Sequence, residues 1–154
     1  MTFVADCMLG RLAKWLRALG YDVLYMRRLD EQPALRFIER KRIILTRNTR
    51  LKSRLPKDKA ILIEHDRVED QLVQLARLGT IKFDPNTAFG RCMRCNLPLK
   101  LVSRLEVADL VPEHIYNSYS FFHSCPVCGR IYWPGTHHER MKELLERFCT
   151  NTSN

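Results

Sequence analysis

The sequence predicts an α/β fold: a parallel sheet flanked by helices, followed by a small module clamped by four cysteines. Three observations predict it. Through about residue 80, short apolar runs alternate with segments whose apolar residues recur at helical spacing. That β-α-β-α-β-α-β-α alternation implies parallel strands, right-handed crossovers and helices on both faces. Asp84-Pro85-Asn86 then brings turn chemistry, and two C-x-x-C pairs follow it. Finally, the basic charge belongs to the first half: 18 Lys and Arg face 10 Asp and Glu through Lys82, but only 8 face 7 beyond it. The expected domains are residues 1–83 and 90–150.

In order, residues 2–5 read as the first strand, delivering Asp6 at its carboxyl tip. Met8, Leu9, Leu12, Trp15, Leu16 and Leu19 line one side of the following helix, with Arg11, Lys14 and Arg17 on another and Gly20 as the stop. Residues 21–25 are the second strand. Asp30 caps a helix over 31–40, where Pro33 is tolerable in the first turn. Residues 42–46 are continuously apolar in the way of a strand covered on both faces. Arg47-Asn48-Thr49 turns into a short helical piece ending near Arg54, residues 60–63 are the fourth strand, and Val68 to Leu78 form a helix that Gly79 ends.

The polar residues just past the strand ends are the candidates for a site: Asp6, Asn48, His65 and Asp66, with Asp30 and Glu31 opening the second helix. A strand order that reverses beside the first strand would bring them to one cleft. Carboxylates gathered there would repel one another without a divalent cation, and an oxygen-rich set with open positions suits Mg²⁺ or Mn²⁺. Asp6 alone could equally serve as a helix N-cap.

Cys92, Cys95, Cys125 and Cys128 form two knuckles separated by 29 residues. Two knuckles complete a tetrahedral Cys₄ site, and without a secretion signal that favours structural zinc over disulfides. Ribbon strands are expected within 97–105, 116–122 and 131–133, and a final amphipathic helix over 138–148. Tyr132 and Trp133 read as packing residues with a capacity for base stacking; Cys7 and Cys149 read as buried small apolar residues.

The net charge is +9. It is densest between Arg36 and Arg54, where eight Lys and Arg face only Glu39. Nucleic acid is the polyanion such a surface suits first. Arg11, Lys14, Arg17, Arg47 and Arg50, with His137, are the expected contacts. No apolar run approaches the 18 residues of a membrane span, and the N-terminus lacks the pattern of a signal peptide, so a cytoplasmic protein without membrane partners is expected.

The run Phe3-Val4-Ala5-Asp6-x-Met8-Leu9-Gly10-Arg11-Leu12-Ala13-x-Trp15-Leu16-Arg17, with Leu19-Gly20-Tyr21-Asp22, Ile44-Leu45-Thr46-Arg47 and Gln71-Leu72, resembles the Mut-seven C-terminal RNase domain family. So do Arg91-Cys92-x-x-Cys95-Asn96, Cys125-x-x-Cys128-Gly129-x-x-Tyr132-Trp133 and Gly135-Thr136-His137. The resemblance implies a PIN-like nuclease domain followed by a zinc ribbon. It also implies a Mg²⁺- or Mn²⁺-dependent ribonuclease, endonucleolytic by expectation. It places the acidic cluster on Asp6, on Asp30 or Glu31, and on Asp66 with Asp70 in reserve. The family's Thr-Arg-Asp motif reads Thr46-Arg47-Asn48, replacing a charged ligand by a neutral carbonyl. The alternative is therefore a non-catalytic or weakly catalytic module that binds RNA or joins a ribonucleoprotein.

Overall fold

The computed structural model describes residues 1–150, the side chains of residues 137, 138, 145 and 148–150 excepted. Its first sheet holds four short strands, β1 (Thr2–Ala5), β2 (Asp22–Tyr25), β3 (Ile43–Thr46) and β4 (Ala60–Leu62), all parallel, in the order β2-β1-β3-β4. The connecting helices are α1 (Gly10–Ala18), α2 (Glu31–Glu39) and α3 (Thr49–Ser53), and α4 (Val68–Arg77) follows β4. Val4 lies opposite Ile44, and Ala5 opposite Leu45. That register sorts the core. Phe3, Ala5 and Leu45 pack with Leu12, Leu16, Leu72 and Leu75 under α1 and α4, whereas Val4 and Ile44 pack with Ala34 and Leu51 under α2 and α3. Both faces are covered, which is why the central strands read as unbroken apolar runs. The connections out of β1 and β3 leave toward opposite faces, so the strand order reverses between them and leaves a crevice at their carboxyl ends.

The second sheet is antiparallel, β5 (Lys100–Val102), β6 (Phe122–Ser124) and β7 (Ile131–Tyr132) in that order, with α5 (Glu113–Ser118) in the connection and α6 (Thr136–Thr150) at the end. Two expectations change here. Residues 116–118 are helical rather than extended: Pro112 stands at the N-cap, and its carbonyl accepts the Ile115 and Tyr116 amides, both at 2.9 Å. Residues 97–99 belong to the turn that closes the first knuckle, where Pro98 bridges back to Arg91, so the strand begins only at Lys100. The ribbon's own core is small: Val107, Val111 and Phe122, flanked by residues such as Tyr119 and Trp133. Cys7 is exposed rather than buried, because the 3-10 turn after Asp6 sends Leu9 inward instead. Cys149 lies outside the described side chains.

Polar contacts join the two sheets. Arg17 is buried among apolar neighbours on α1, and its guanidinium donates to the Val23 carbonyl (2.8 and 3.0 Å) and to the Met93 (2.8 Å) and Arg94 (3.1 Å) carbonyls inside the first knuckle. Asn96 accepts the Val23 amide at 2.9 Å and donates to Asp22 at 2.8 Å. Gly20, at φ +92°, ends α1, and a Cβ there would lie 2.4 Å from the Thr87 carbonyl oxygen, so only glycine lets the linker close against α1. Among the described residues no helix is long and apolar enough to cross a membrane.

Asp22 also receives a two-pronged contact from Arg42, at 2.9 and 3.0 Å. That guanidinium holds the Asp22 carboxyl below its ordinary range; burial opposes the shift and Asn96 reinforces it. A depressed folded-state pKa contributes stability that is present above the unfolded value, about 4, and is lost as pH falls through the folded one. Thermal midpoints are therefore expected to drop as pH is lowered below about 4. Asp22→Asn should be less stable at neutral pH and should flatten that acid limb.

Candidate active site and cysteine cluster

Asp6 sits at the reversal point, one residue past β1, and is 6% exposed. Its amide extends the ladder by donating to the Leu45 carbonyl at 3.1 Å. Its carboxylate reaches across to β3. Oδ2 accepts the Thr46 hydroxyl at 2.5 Å and the Arg47 amide at 2.9 Å, and Oδ1 accepts the Met8 amide at 2.9 Å. Asp6 is thus an N-cap, as its residue type allows, and also a clamp between the two strand ends. Among the described residues Oδ1 has one protein donor, so a lone pair on that oxygen is left for a ligand.

The other candidates stand around this clamp in individual pairings. Asn48 accepts the Leu51 amide at 3.0 Å and so caps α3, while its own amide donates to the Thr46 hydroxyl oxygen at 3.0 Å. Asp66, on the loop after β4, pairs with the Arg47 guanidinium at 2.6 Å. Glu31 pairs with Arg54 at 3.2 Å. Asp30 occupies the N-cap position of α2 without a side-chain cap bond, and Asp70 is exposed in the first turn of α4. Among the described residues no three of these carboxylates come within 4.8 Å of one another. The chain's own arginines, rather than a preassembled acidic cage, neutralise Asp66 and Glu31. The fit to a catalytic Mg²⁺ or Mn²⁺ is therefore incomplete as the side chains stand: Asp6 offers one oxygen, and Asp66 or Glu31 would have to leave its arginine to join it.

The basic candidates separate into three sets. Arg11 and Lys14 are exposed on α1 and line a cavity of about 340 Å³ with Trp15, Val68, Glu69, Met93 and Met141. Arg47 and Arg50 flank the start of α3, on the far side of Asp6. Arg17 departs from the expectation of a surface contact, because it is enclosed between α1, β2 and the knuckle, where burial lowers its pKa from the ordinary arginine value. The side chain of His137 lies outside those described.

The four knuckle cysteines converge. Their sulfurs all lie within 4.8 Å of one another, and this is the only such group of His, Cys, Asp or Glu among the described residues. The two knuckles are built alike. The amide of the first cysteine donates five residues ahead, Cys92 to Leu97 at 2.8 Å and Cys125 to Arg130 at 3.0 Å. The residue after the second cysteine takes a left-handed φ, +64° at Asn96 and +69° at Gly129, and donates back to the first cysteine's carbonyl. Burial pushes the Cys92 thiol up, but the Tyr132 hydroxyl, 3.2 Å away, and the Cys95 and Arg94 amides outweigh it and bring it down to about 6. Burial and the neighbouring sulfurs push Cys95 up to about 12. Four sulfurs so close cannot all ionise unless a cation joins them, and a soft thiolate set could bind a metal such as zinc.

Several of the residues that build these sites carry little sequence signal. Asn96 follows a C-x-x-C where Gly129 follows the other, and asparagine is the side chain that best tolerates that φ. Its two contacts to β2 have no such cue, and neither does the Tyr132 hydroxyl beside Cys92.

No curated protein and no solved structure matches the chain. The model of the Mut7-C RNAse domain family matches residues 1–145, so it covers the Asp6 crevice and the cysteine cluster alike, and the chain belongs to that family of RNase domains.

Proposed function

We propose that this protein is a metal-dependent ribonuclease that draws RNA across the carboxyl edge of its first sheet, with zinc held by Cys92, Cys95, Cys125 and Cys128 as a structural ion. The observation that carries the reading is the family match over residues 1–145 together with Asp6 at the β1–β3 reversal, the place where open α/β sheets act on their ligands. A Mg²⁺ or Mn²⁺ held by Asp6 with Asp30, Glu31 or Asp66 would supply an activated water and neutralise charge at the scissile phosphate. Arg47 and Arg54 hold Asp66 and Glu31 in the free protein. An arriving phosphate competes for those guanidiniums, so substrate binding itself frees the two carboxylates. Arg11, Lys14 and Arg50 position the backbone.

One observation favours a second reading, RNA binding with little or no turnover: Asn48 uses its side-chain carbonyl to cap α3 and brings no charge to the crevice. The test is cleavage of labelled single-stranded RNA with Mn²⁺ supplied or withheld. Chelation is unsuitable, because it would also strip the cysteine cluster. Cleavage only with Mn²⁺ is expected. Salt-sensitive binding without any product would establish the second reading. Asn48→Asp keeps a good cap and adds a carboxylate, so it should raise Mn²⁺-dependent cleavage without loss of stability.

A further inference from the structure

We propose that the cavity between the linker and the ribbon is a nucleobase pocket that receives unpaired bases of single-stranded RNA; this rests on the reading of the protein as one that acts on RNA. The cavity measures about 800 Å³, and its walls carry five aromatic side chains, Phe89, Tyr119, Phe121, Tyr132 and Trp133. That volume lies in the range of ligand sites, roughly 300–1,000 Å³. Arg91, His114 and His123 also line it, and no described lining residue is a carboxylate. Aromatic walls with a guanidinium among them suit a flat heterocycle that carries a phosphate.

The walls are held in place rather than collapsed. Tyr119 and Trp133 pack against the ribbon core. The Trp133 indole lies over Gly135, where a Cβ would come within 3.0 Å of the indole nitrogen, so this glycine keeps the ring in its position. Phe89 adopts φ +61°, a conformation rare for a bulky side chain, and its amide is anchored to the Ala18 carbonyl at 2.5 Å. Strained backbone of this kind persists where the surroundings over-determine it, and it gathers at ligand sites. Phe121 remains 68% exposed. The pocket also adjoins the basic face of α1: Met93 and Met141 line both it and the cavity that Arg11 and Lys14 border. A base in the pocket would leave its phosphates beside Arg11 and Lys14, and single-strand binding sites combine these two elements, a stacking platform and a basic track.

The test uses the full metal-loaded chain without Mn²⁺. The protein has two tryptophans, so in Trp15→Phe the emission reports Trp133 alone. Titration with a short oligouridylate is expected to quench that emission. Phe121→Ala, which removes an exposed ring and spares the ribbon core, should weaken binding of the same oligonucleotide about 5- to 150-fold, the effect of losing one stacked base. Gly135→Ala should also weaken it by displacing the indole. Unchanged Trp133 emission, or Phe121→Ala binding as tightly as the parent, overturns the pocket, including the case where the site instead serves a protein partner. Mn²⁺-dependent cleavage beside an unaffected Phe121→Ala would sink the pocket and leave the ribonuclease standing. Quenching of Trp133 without any cleavage would do the reverse.

Discussion

Cys125→Ser, or removal of the metal proposed at the cysteine cluster, is expected to unfold residues 91–133 and to loosen β2 in the first sheet as well. Among the described residues the ribbon core has three buried apolar residues beyond its cysteines, too few to hold three short strands together. In small modules of this kind the metal-binding free energy, about 10–16 kcal/mol in zinc-finger peptides, is the folding free energy. The consequence for β2 comes from Arg17. Two of its four carbonyl contacts, Met93 and Arg94, exist only while the first knuckle is folded, and the Val23 amide depends on Asn96 in the same way. Unfolding the knuckle removes these two hydrogen bonds and opens the guanidinium to water, a net loss of about 0.5–1.5 kcal/mol per bond, or about 1–3 kcal/mol for the two. For a chain of this size that corresponds to a fall of roughly 3–10 °C in the midpoint of the first sheet.

Hydrogen exchange read by mass spectrometry separates these effects. Protection across β5, β6 and β7 should vanish, and amides of β2, Val23 above all, should exchange faster while those of β3 hold. Unchanged protection in β2 would show that the Arg17 contacts carry no such coupling. Arg17→Met should reproduce the loosening of β2 with the cysteine cluster intact, since it keeps an apolar stem and removes the donors.

The parallel sheet was legible because its cause is local and repeated: apolar runs of strand length, helical spacing between them, and Gly20 or Gly79 as stops. The cysteine cluster was legible because knuckle spacing is itself the geometry. The segment 116–122 is helix at one end and strand at the other, and a sequence hides this because Tyr116 and Phe122 look alike; only the cap at Pro112 and the pairing with β5 divide helix from strand there. Arg17 is hidden from a sequence reading for a related reason. Spacing puts it with Arg11 and Lys14 as a charged residue, yet its guanidinium is enclosed by a knuckle 76 residues away in sequence. A partner at that separation leaves no periodic trace. The pairings of Asp66 with Arg47 and of Glu31 with Arg54 are equally non-local, and they decide how the acids behave.

Asp6→Asn is expected to abolish cleavage, but also to destabilise the fold, so the two losses must be read apart. An asparagine must turn its amide group either toward the Thr46 hydroxyl and the Arg47 amide or toward the Met8 amide, and each orientation sets donor against donor. The expected cost is about 2–4 kcal/mol, with a midpoint lower by roughly 5–15 °C. Thr46→Val supplies the comparison. It removes the hydroxyl that donates to Asp6 and accepts from Asn48, and so weakens the same clamp, but it leaves the carboxylate in the crevice. At a temperature where circular dichroism shows both variants folded, Thr46→Val should retain measurable Mn²⁺-dependent cleavage, whereas Asp6→Asn should show none. Equal activity in the two folded variants would reduce Asp6 to a clamp between β1 and β3. The carboxylate would then be structural in this chain, and the chemistry would have to be sought among Asp30, Glu31 and Asp66.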